Sequence, residues 1–181
     1  MGTLVFTVGH STRTLDEFIG LLEANGVKVL VDIRTIPRSR RNPQFNADSL
    51  PGSLAGKGID YLRLPGLGGL RHARRDSPNT GWRNLSFRGY ADYMQTPEFA
   101  LSLEELIALA SQAKAAVMCA EAVPWRCHRW LVADALLVRG TAVEHIVGPG
   151  TRRPHRLTQW ARVDDGRISY PKPAGADQPA A

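Results

Sequence analysis

The chain has few cysteines and no long apolar run, and each shortage excludes a class of protein. Its 181 residues include two cysteines, too few for the disulfide framework of a small secreted domain. No segment approaches the roughly 20 consecutive apolar residues of a membrane-spanning helix, and no signal-peptide pattern is present. We therefore expect a soluble, cytoplasmic protein that does not bind membranes and keeps its two thiols reduced.

Internal repeats and domain linkers are also lacking. With 181 residues, of which 43% are hydrophobic, the chain is long enough for one well-packed domain and short for two. We expect a single α/β domain over residues 1–162. A Pro- and Ala-rich stretch then predicts a flexible tail over residues 163–181.

Positive charge is in excess but unevenly distributed. The formal net charge is +6, and residues 34–88 alone hold eleven Lys or Arg against three Asp, so the rest of the chain is slightly acidic. A basic segment on a nearly neutral body indicates an anionic partner such as a phosphate, a nucleotide or a nucleic acid. The alternative is a solvated basic face.

Apolar, β-branched segments alternate with helical patterns along the chain. The predicted strands are Leu4–Val8, Val27–Val31, Ile59–Leu62, Ala115–Met118 and Val143–Val147. Thr14 and Glu17 form a capping box that begins the first helix, and later helices are predicted over Asp48–Ala55, Phe87–Met94, Pro97–Ala113 and Cys127–Arg139. This order predicts a three-layer α/β sandwich with a mostly parallel, Rossmann-like sheet.

Polar side chains follow three of these strands. They are His10 and Ser11 after the first strand, Asp32 and Arg34 after the second, and Cys119 and Glu121 after the fourth. Because the carboxyl ends of parallel strands meet at one edge of a sheet, we expect these groups to form one site. For Cys119 the alternative is a small buried hydrophobe, and for Asp32 with Arg34 it is a structural ion pair.

The segment CAEAVPWRCHRW, residues 119–130, combines two thiols with a carboxylate, an imidazole and guanidinium groups. Cys127, His128 and Arg129 are predicted to begin a helix, where backbone amides and the helix dipole favour a thiolate or a bound oxyanion. The spacing from Cys119 differs from that of a cysteine phosphatase or rhodanese loop, and Pro124 offers no amide hydrogen there.

A zinc site is a further alternative for the same residues. Its ligands would be Cys119, Cys127, His128 and His10, but the chain has no Cys-x-x-Cys pair and no paired His spacing. We therefore expect no metal, and the sequence identifies neither a cofactor nor an oligomeric state.

Several motifs resemble domain-of-unknown-function family 488 (DUF488). They are TVGHSTRTLDEFIGLLEANGVKVLVDIRTIPRSRRNPQF, LPGLGGLR, FRGYADYMQTPEF and VMCAEAVPWRCHR, in the order and spacing of the family between about Phe6 and Ile146. The resemblance implies a small prokaryotic α/β protein and brings no settled reaction. One departure is Gly66, because an acidic residue commonly precedes Leu-Gly-Gly in the family.

These observations favour an enzyme of unassigned reaction that acts on a phosphorylated or nucleotide-like anionic substrate. The predicted catalytic residues are Cys119, Glu121, Cys127 and His128, with a cysteine as nucleophile and Glu121 or His128 as general acid or base. The predicted substrate- or anion-binding residues are His10, Ser11, Asp32, Arg34, Ser39, Arg40 and Arg129. The alternative is a non-catalytic nucleic-acid-binding module that uses residues 34–88.

Overall fold

A six-stranded sheet forms the centre of the fold. The computed structural model describes residues 2–173. The strands of this sheet are β1 (Leu4–Gly9), β2 (Val29–Asp32), β3 (Asp60–Arg63), β4 (Ala115–Cys119), β5 (Ala142–Gly148) and β6 (Thr151–Pro154). Their order is β3-β2-β4-β1-β5-β6, with all pairs parallel except β5 with β6.

Five helices cover the two faces of the sheet. They are α1 (Leu15–Ala24), α2 (Leu50–Ala55), α3 (Leu85–Tyr93), α4 (Pro97–Gln112) and α5 (Arg129–Val138). Helices α1 and α2 share one core cluster with the sheet, and α3, α4 and α5 share the other. The predicted α/β sandwich with a mostly parallel sheet is therefore confirmed. No helix within residues 2–173 is long and apolar enough to span a membrane.

The first helix illustrates how local sequence sets the fold. The Thr14 hydroxyl accepts from the Glu17 amide at 3.2 Å, and the Glu17 carboxylate accepts from the Thr14 amide at 2.8 Å, which completes the capping box. Phe18 and Leu22 are fully buried on the sheet side. The cap and the apolar spacing thus fix where α1 begins and which face it buries.

The chain reverses its winding direction between β1 and β4. These strands are neighbours, yet α1 follows β1 onto one face of the sheet and α5 follows β4 onto the other. The crevice between the ends of two such strands is where ligands bind in open α/β sheets. A Cβ atom on Gly9 would lie 1.9 Å from the carbonyl oxygen of Glu121, so only glycine permits this close approach at the end of β1.

The last helix begins two residues later than predicted. Residues Pro124–Arg126 form a 3-10 turn, Cys127 is extended (φ −130°, ψ 147°), and His128 is the N-cap of α5. The backbone of Cys127 is therefore outside the helix, and the predicted start of this helix is wrong by two residues. The Cys127 sulfur nevertheless accepts from the amide of Arg129, the first residue of α5, at 3.4 Å, so the thiol lies beside the helix start.

The predicted flexible tail is wrong for residues 163–173. Strands β7 (Arg162–Asp164) and β8 (Arg167–Ser169) pair as an antiparallel hairpin. Asp165 and Gly166 have φ values of 46° and 75°, as the tight turn of a hairpin requires. The fully buried Tyr170 donates to Asp134 of α5 at 2.8 Å, which attaches this segment to the core. The rest of the predicted tail lies outside the described residues.

Candidate active site

A pocket of about 450 Å³ opens beyond the carboxyl end of β4, and we call it the thiol pocket. Its lining includes four predicted catalytic residues together with Arg34 and Arg126. These four are Cys119, Glu121, Cys127 and His128. Its volume is in the range of small-molecule sites. The apolar part of the wall, which the sequence did not identify as part of the site, consists of Ile36, Leu70, Phe87 and Tyr90.

Arg129 is the cation nearest to the thiols. Its guanidinium Nη1 donates to the Cys119 sulfur at 2.9 Å, and the same guanidinium donates to the carbonyl oxygens of Glu121 at 2.5 Å and Ala122 at 2.9 Å. The residue is 1% exposed, and its Nε has no hydrogen-bond partner. Within residues 2–173 no carboxylate forms an ion pair with Arg129. The carbonyl bonds hold the loop after β4 in place.

The two thiols differ in acidity because of their surroundings. A hydrogen bond from the Cys127 side chain and the charge of Arg129 lower the pKa of Cys119 to about 7, against the effect of burial. Burial and the neighbouring Cys119 raise the pKa of Cys127 well above its ordinary value. At neutral pH a substantial fraction of Cys119 is therefore a thiolate, while Cys127 is a thiol. The helix-start argument favoured Cys127, and the structure assigns the lowered pKa to Cys119 instead.

His128 faces Cys127 and is held by the backbone. Its Nε2 lies 3.2 Å from the carbonyl oxygen of Ile33, and its Nδ1 lies 3.6 Å from the Cys127 sulfur. Because a carbonyl only accepts, Nε2 carries the proton and Nδ1 has a free lone pair. Burial lowers the pKa of His128 to about 4, so the ring is neutral at pH 7 and can act as a base. Gly69 packs against this ring, where a Cβ would lie 3.0 Å from Nδ1.

A second pocket of about 380 Å³ adjoins the first, and we call it the loop pocket. It shares Arg34, Ile36, Ala120 and Glu121 with the thiol pocket. Its remaining lining residues are His10, Ser11, Thr12, Arg38, Ser39, Asn42 and Ala122. The exposed Glu121 thus lies on the wall that the two pockets share.

Arg34 and Asp32 form a buried pair below both pockets. The Arg34 Nη2 lies 2.6 Å from an Asp32 carboxylate oxygen, and the Tyr61 hydroxyl donates to the same oxygen at 2.5 Å. The Arg34 Nη1 donates to the His10 Nε2 at 3.2 Å, while the His10 Nδ1 donates to the Ser11 carbonyl at 2.8 Å. Burial lowers the pKa of His10 to about 4. Asp32 is therefore a structural partner, and its carboxylate is fully buried away from the pockets.

The loop after β2 brings a different arginine to the pocket wall than we predicted. Arg40 is exposed and lines neither pocket, whereas Arg38 lines the loop pocket. The Ser39 hydroxyl accepts from the amides of Arg41 and Asn42, each at 3.2 Å, and this turn directs Arg40 outward. The structure therefore does not bring Arg40 together with the other predicted site residues. Ser39 keeps its predicted place as a lining residue.

The departure from the family pattern at Gly66 has a steric reason. A Cβ on Gly66 would lie 2.0 Å from the Ser102 hydroxyl oxygen. An acidic side chain at this position would therefore require the Ser102 side chain to move. The carboxylate that is common in the family at this position is absent from this chain and from the site described here.

A buried polar network under α5 was missed by sequence reasoning. The Asp134 carboxylate accepts from His155, Thr158 and Tyr170, and His155 contacts His145 at 2.9 Å. A lone aspartate in the apolar helix WLVADALLV is the signal that could have identified it, because a buried carboxylate needs donors. This network lines neither pocket.

The described residues contain no group of three or more His, Cys, Asp or Glu side chains arranged to hold a metal ion.

Comparisons with known proteins give one match. The family model named "Domain of unknown function DUF488" matches residues 14–136, about two thirds of the chain. Searches of curated proteins and of solved structures find no match for this chain. The matched range includes β4, both cysteines and most of α5. The chain therefore belongs to the DUF488 family.

Proposed function

We propose that the protein is an enzyme in which the Cys119 thiolate attacks a small anionic substrate. The observation that carries this proposal is the 2.9 Å contact between the Arg129 guanidinium and the Cys119 sulfur. A guanidinium keeps its proton in proteins, so a buried arginine needs an anion nearby. With no carboxylate partner for Arg129 in the described chain, the Cys119 thiolate is its counterion. A stable thiolate in a pocket is a nucleophile at neutral pH.

The charge of the pockets favours an anionic substrate. Arg126 is exposed at the thiol pocket and Arg38 at the loop pocket, whereas the guanidinium of Arg34 is bound by Asp32, His10 and the Phe45 carbonyl. Arginine binds phosphate or carboxylate with parallel hydrogen bonds. The apolar wall of Ile36, Leu70 and Phe87 suits a flat or aliphatic moiety. A phosphorylated or nucleotide-like molecule has both parts.

Glu121 supplies the base for the second half of the reaction. The thiolate attacks a carbonyl carbon or a phosphorus atom, the leaving group departs, and a covalent intermediate forms on Cys119. The Glu121 carboxylate stands where it can activate the water that hydrolyses this intermediate. His128, neutral and paired with Cys127, does not donate a proton to the leaving group at pH 7.

Nucleic-acid binding receives less support from the basic segment. Several of its arginines contact other side chains of the protein: Arg34 pairs with the buried Asp32 and Arg71 lies over the ring of Tyr93. Arg38 with Asp48 and Arg74 with Asp76 form exposed ion pairs. Residues 34–88 therefore do not present one continuous row of free cations. A protein that tracks phosphates along a polymer needs such a row.

The test traps the covalent intermediate. The protein is incubated with aryl phosphates, acyl phosphates and nucleoside 5′-phosphates, quenched in acid and analysed by intact and peptide mass spectrometry. We expect an adduct on the Cys119 peptide, absent from Cys119→Ser and retained in Arg41→Ala, which changes an exposed arginine outside both pockets. An unmodified protein with every compound, together with alkylation of Cys119 only above pH 8.5, would refute the proposal.

A further inference from the structure

Cys127 is placed between a second sulfur and a base. Both sulfurs contact Arg129, whose guanidinium donates to Cys119 at 2.9 Å, and the Cys127 sulfur also lies 3.6 Å from the His128 Nδ1. The Arg129 amide donates to the same sulfur at 3.4 Å. Hydrolysis at Cys119 requires neither of these two contacts of the Cys127 sulfur, with the His128 ring and with the Arg129 amide. A thiol held between a nucleophilic sulfur and a basic nitrogen has the arrangement of a resolving cysteine in thiol–disulfide chemistry.

We propose that Cys119 and Cys127 form a reversible disulfide, with Cys119 reacting first with a hydroperoxide and Cys127 resolving the product with His128 as its base. This inference uses the Cys119 nucleophile of the proposed function but not its anionic substrate. The reduced form is regenerated by a small thiol. Both sulfurs line the thiol pocket, so peroxide and thiol reach them by the same opening.

The first step oxidises Cys119 by two electrons. Its thiolate attacks one oxygen of hydrogen peroxide, the O–O bond breaks, and the departing hydroxide takes a proton from solvent to become water. Cys119 is then a sulfenic acid. Arg129 stabilises the thiolate before the attack and keeps its own proton throughout.

The second step forms the disulfide. The Cys127 thiol gives its proton to the His128 Nδ1, its sulfur attacks the Cys119 sulfur, and the S–O bond breaks. The hydroxide that leaves takes the proton from His128, and the products are the disulfide and a second water. His128 suits this role because its Nε2–H bond to Ile33 leaves Nδ1 as an acceptor. Two equivalents of a small thiol then reduce the disulfide and become oxidised to their own disulfide.

Arg129 makes the disulfide easy to reduce. In the disulfide the Cys119 sulfur no longer carries a charge, so the buried guanidinium loses its counterion. Because the Arg129–thiolate pair stabilises the reduced form relative to the disulfide, the thiol–disulfide couple is more oxidising. The disulfide is therefore expected to be transient under cellular thiol concentrations, in contrast to a structural cross-link.

The experiment follows both oxidation states by mass. The purified chain is reduced, freed of reductant, and treated with one equivalent of hydrogen peroxide with and without dimedone, which traps sulfenic acids. We expect wild type to lose two hydrogens with little dimedone adduct. We expect Cys127→Ser to carry dimedone on Cys119, and Cys119→Ser to form neither product. Dithiothreitol should restore wild type fully.

His128 is tested as the base of the second step. His128→Asn is expected to slow disulfide formation at least tenfold, since a positioned base contributes about a hundredfold or more to such a step. The rate of Cys119 alkylation by iodoacetamide reports whether the site is still intact in this variant. The matched control is His72→Gln, at an exposed histidine that lines neither pocket.

The outcomes separate the two proposals. Oxidation of Cys119 directly to sulfinic acid in wild type, with no species two hydrogens lighter, would overturn the disulfide while leaving the nucleophile of the proposed function in place. An unchanged rate of disulfide formation in His128→Asn would overturn the assigned base. A thiol pair inert to both peroxide and iodoacetamide at pH 7 would overturn both proposals.

Discussion

The sulfur of Cys119 and the guanidinium of Arg129 are 2.9 Å apart at the base of the thiol pocket. Arg129 is the first residue of α5, and Cys119 is the last residue of β4, so the contact joins the two ends of the nine-residue loop between them. The same guanidinium binds the carbonyl oxygens of Glu121 and Ala122 in that loop. One buried cation therefore both shapes the loop and stabilises the thiolate.

Replacing Arg129 tests this double role. Arg129→Gln keeps a hydrogen-bond donor but removes the charge, so we expect the pKa of Cys119 to rise from about 7 to 8.5 or above. The rate of iodoacetamide alkylation at pH 7 should then fall about tenfold or more. The measurement is the alkylation rate as a function of pH, followed on the Cys119 peptide. An unchanged profile would mean that the thiolate is stabilised by other groups.

The hydrogen bond from Cys127 is tested by a matched pair of variants. Cys127→Ser retains a side-chain donor beside Cys119, whereas Cys127→Ala removes it. Because this hydrogen bond is the largest influence that lowers the pKa of Cys119, we expect that pKa to rise by at least half a unit more in the alanine variant. The same alkylation profile measures it. Equal profiles for both variants would contradict the hydrogen bond.

The loop pocket predicts which arginine binds the anion. Arg38→Ala should weaken binding of adenosine monophosphate because a charge-assisted hydrogen bond to the phosphate is lost. We expect a modest loss of about tenfold, equivalent to about 1.4 kcal/mol, since Arg38 is exposed and also pairs with Asp48. Arg40→Ala should have little effect, since Arg40 lines neither pocket. Isothermal titration calorimetry at fixed ionic strength measures both. Equal losses at the two positions would indicate general attraction to a basic loop.

The strand-end argument could place His10 and Cys119 together because it needs only local patterns. Apolar β-branched segments mark the strands, and parallel strands bring their carboxyl ends to one edge. The structure has the backbone of His10 bonded to the carbonyl of Cys119 at 3.0 Å. The fold class and the proximity of these two residues therefore follow from periodicity and strand order.

Side-chain directions in the loops could not be predicted in the same way. Whether Arg38 or Arg40 faces the pocket depends on the bond from the Ser39 amide to Asn46, at 2.7 Å, and on the turn at Ser39 itself. The position of the Cys127 backbone depends on a 3-10 turn that moves the start of α5 by two residues. These features depend on tertiary contacts, which a sequence pattern does not contain. A helix boundary predicted from sequence is uncertain by one or two residues, which is the shift observed for α5.

The C-terminal hairpin should contribute to stability through Tyr170. Tyr170→Phe removes a buried hydrogen bond to the Asp134 carboxylate, and we expect the free energy of unfolding to fall by about 1.5–3 kcal/mol. Tyr93→Phe is the matched control, because its hydroxyl donates to the neutral carbonyl of Gly66 at 2.7 Å and should cost about 0.5–1.5 kcal/mol. Urea unfolding measures both. A smaller loss at Tyr170 than at Tyr93 would contradict the anchoring role.

Acid should destabilise the fold through its buried neutral histidines. Burial lowers the pKa of His10 and His128 to about 4 and that of His145 to about 3, whereas a histidine in the unfolded chain titrates near 6.5. As the pH falls below 6.5 the unfolded chain binds protons that the folded protein does not, so stability present above pH 6.5 is lost. Each histidine contributes a slope of about 1.4 kcal/mol per pH unit near pH 5.

Removing one of these histidines should reduce that slope. His145→Gln is expected to lower the dependence of the unfolding free energy on pH by about 1.4 kcal/mol per unit between pH 5.5 and 4.5. His72→Gln, at an exposed position, should leave it unchanged. The absolute stability of His145→Gln will also fall, because its bonds to Thr7 and His155 are lost, but a lost bond displaces the whole curve without changing its slope. Urea titrations at several pH values separate the two effects, and an unchanged slope in His145→Gln would show that this ring does not titrate as a buried neutral group.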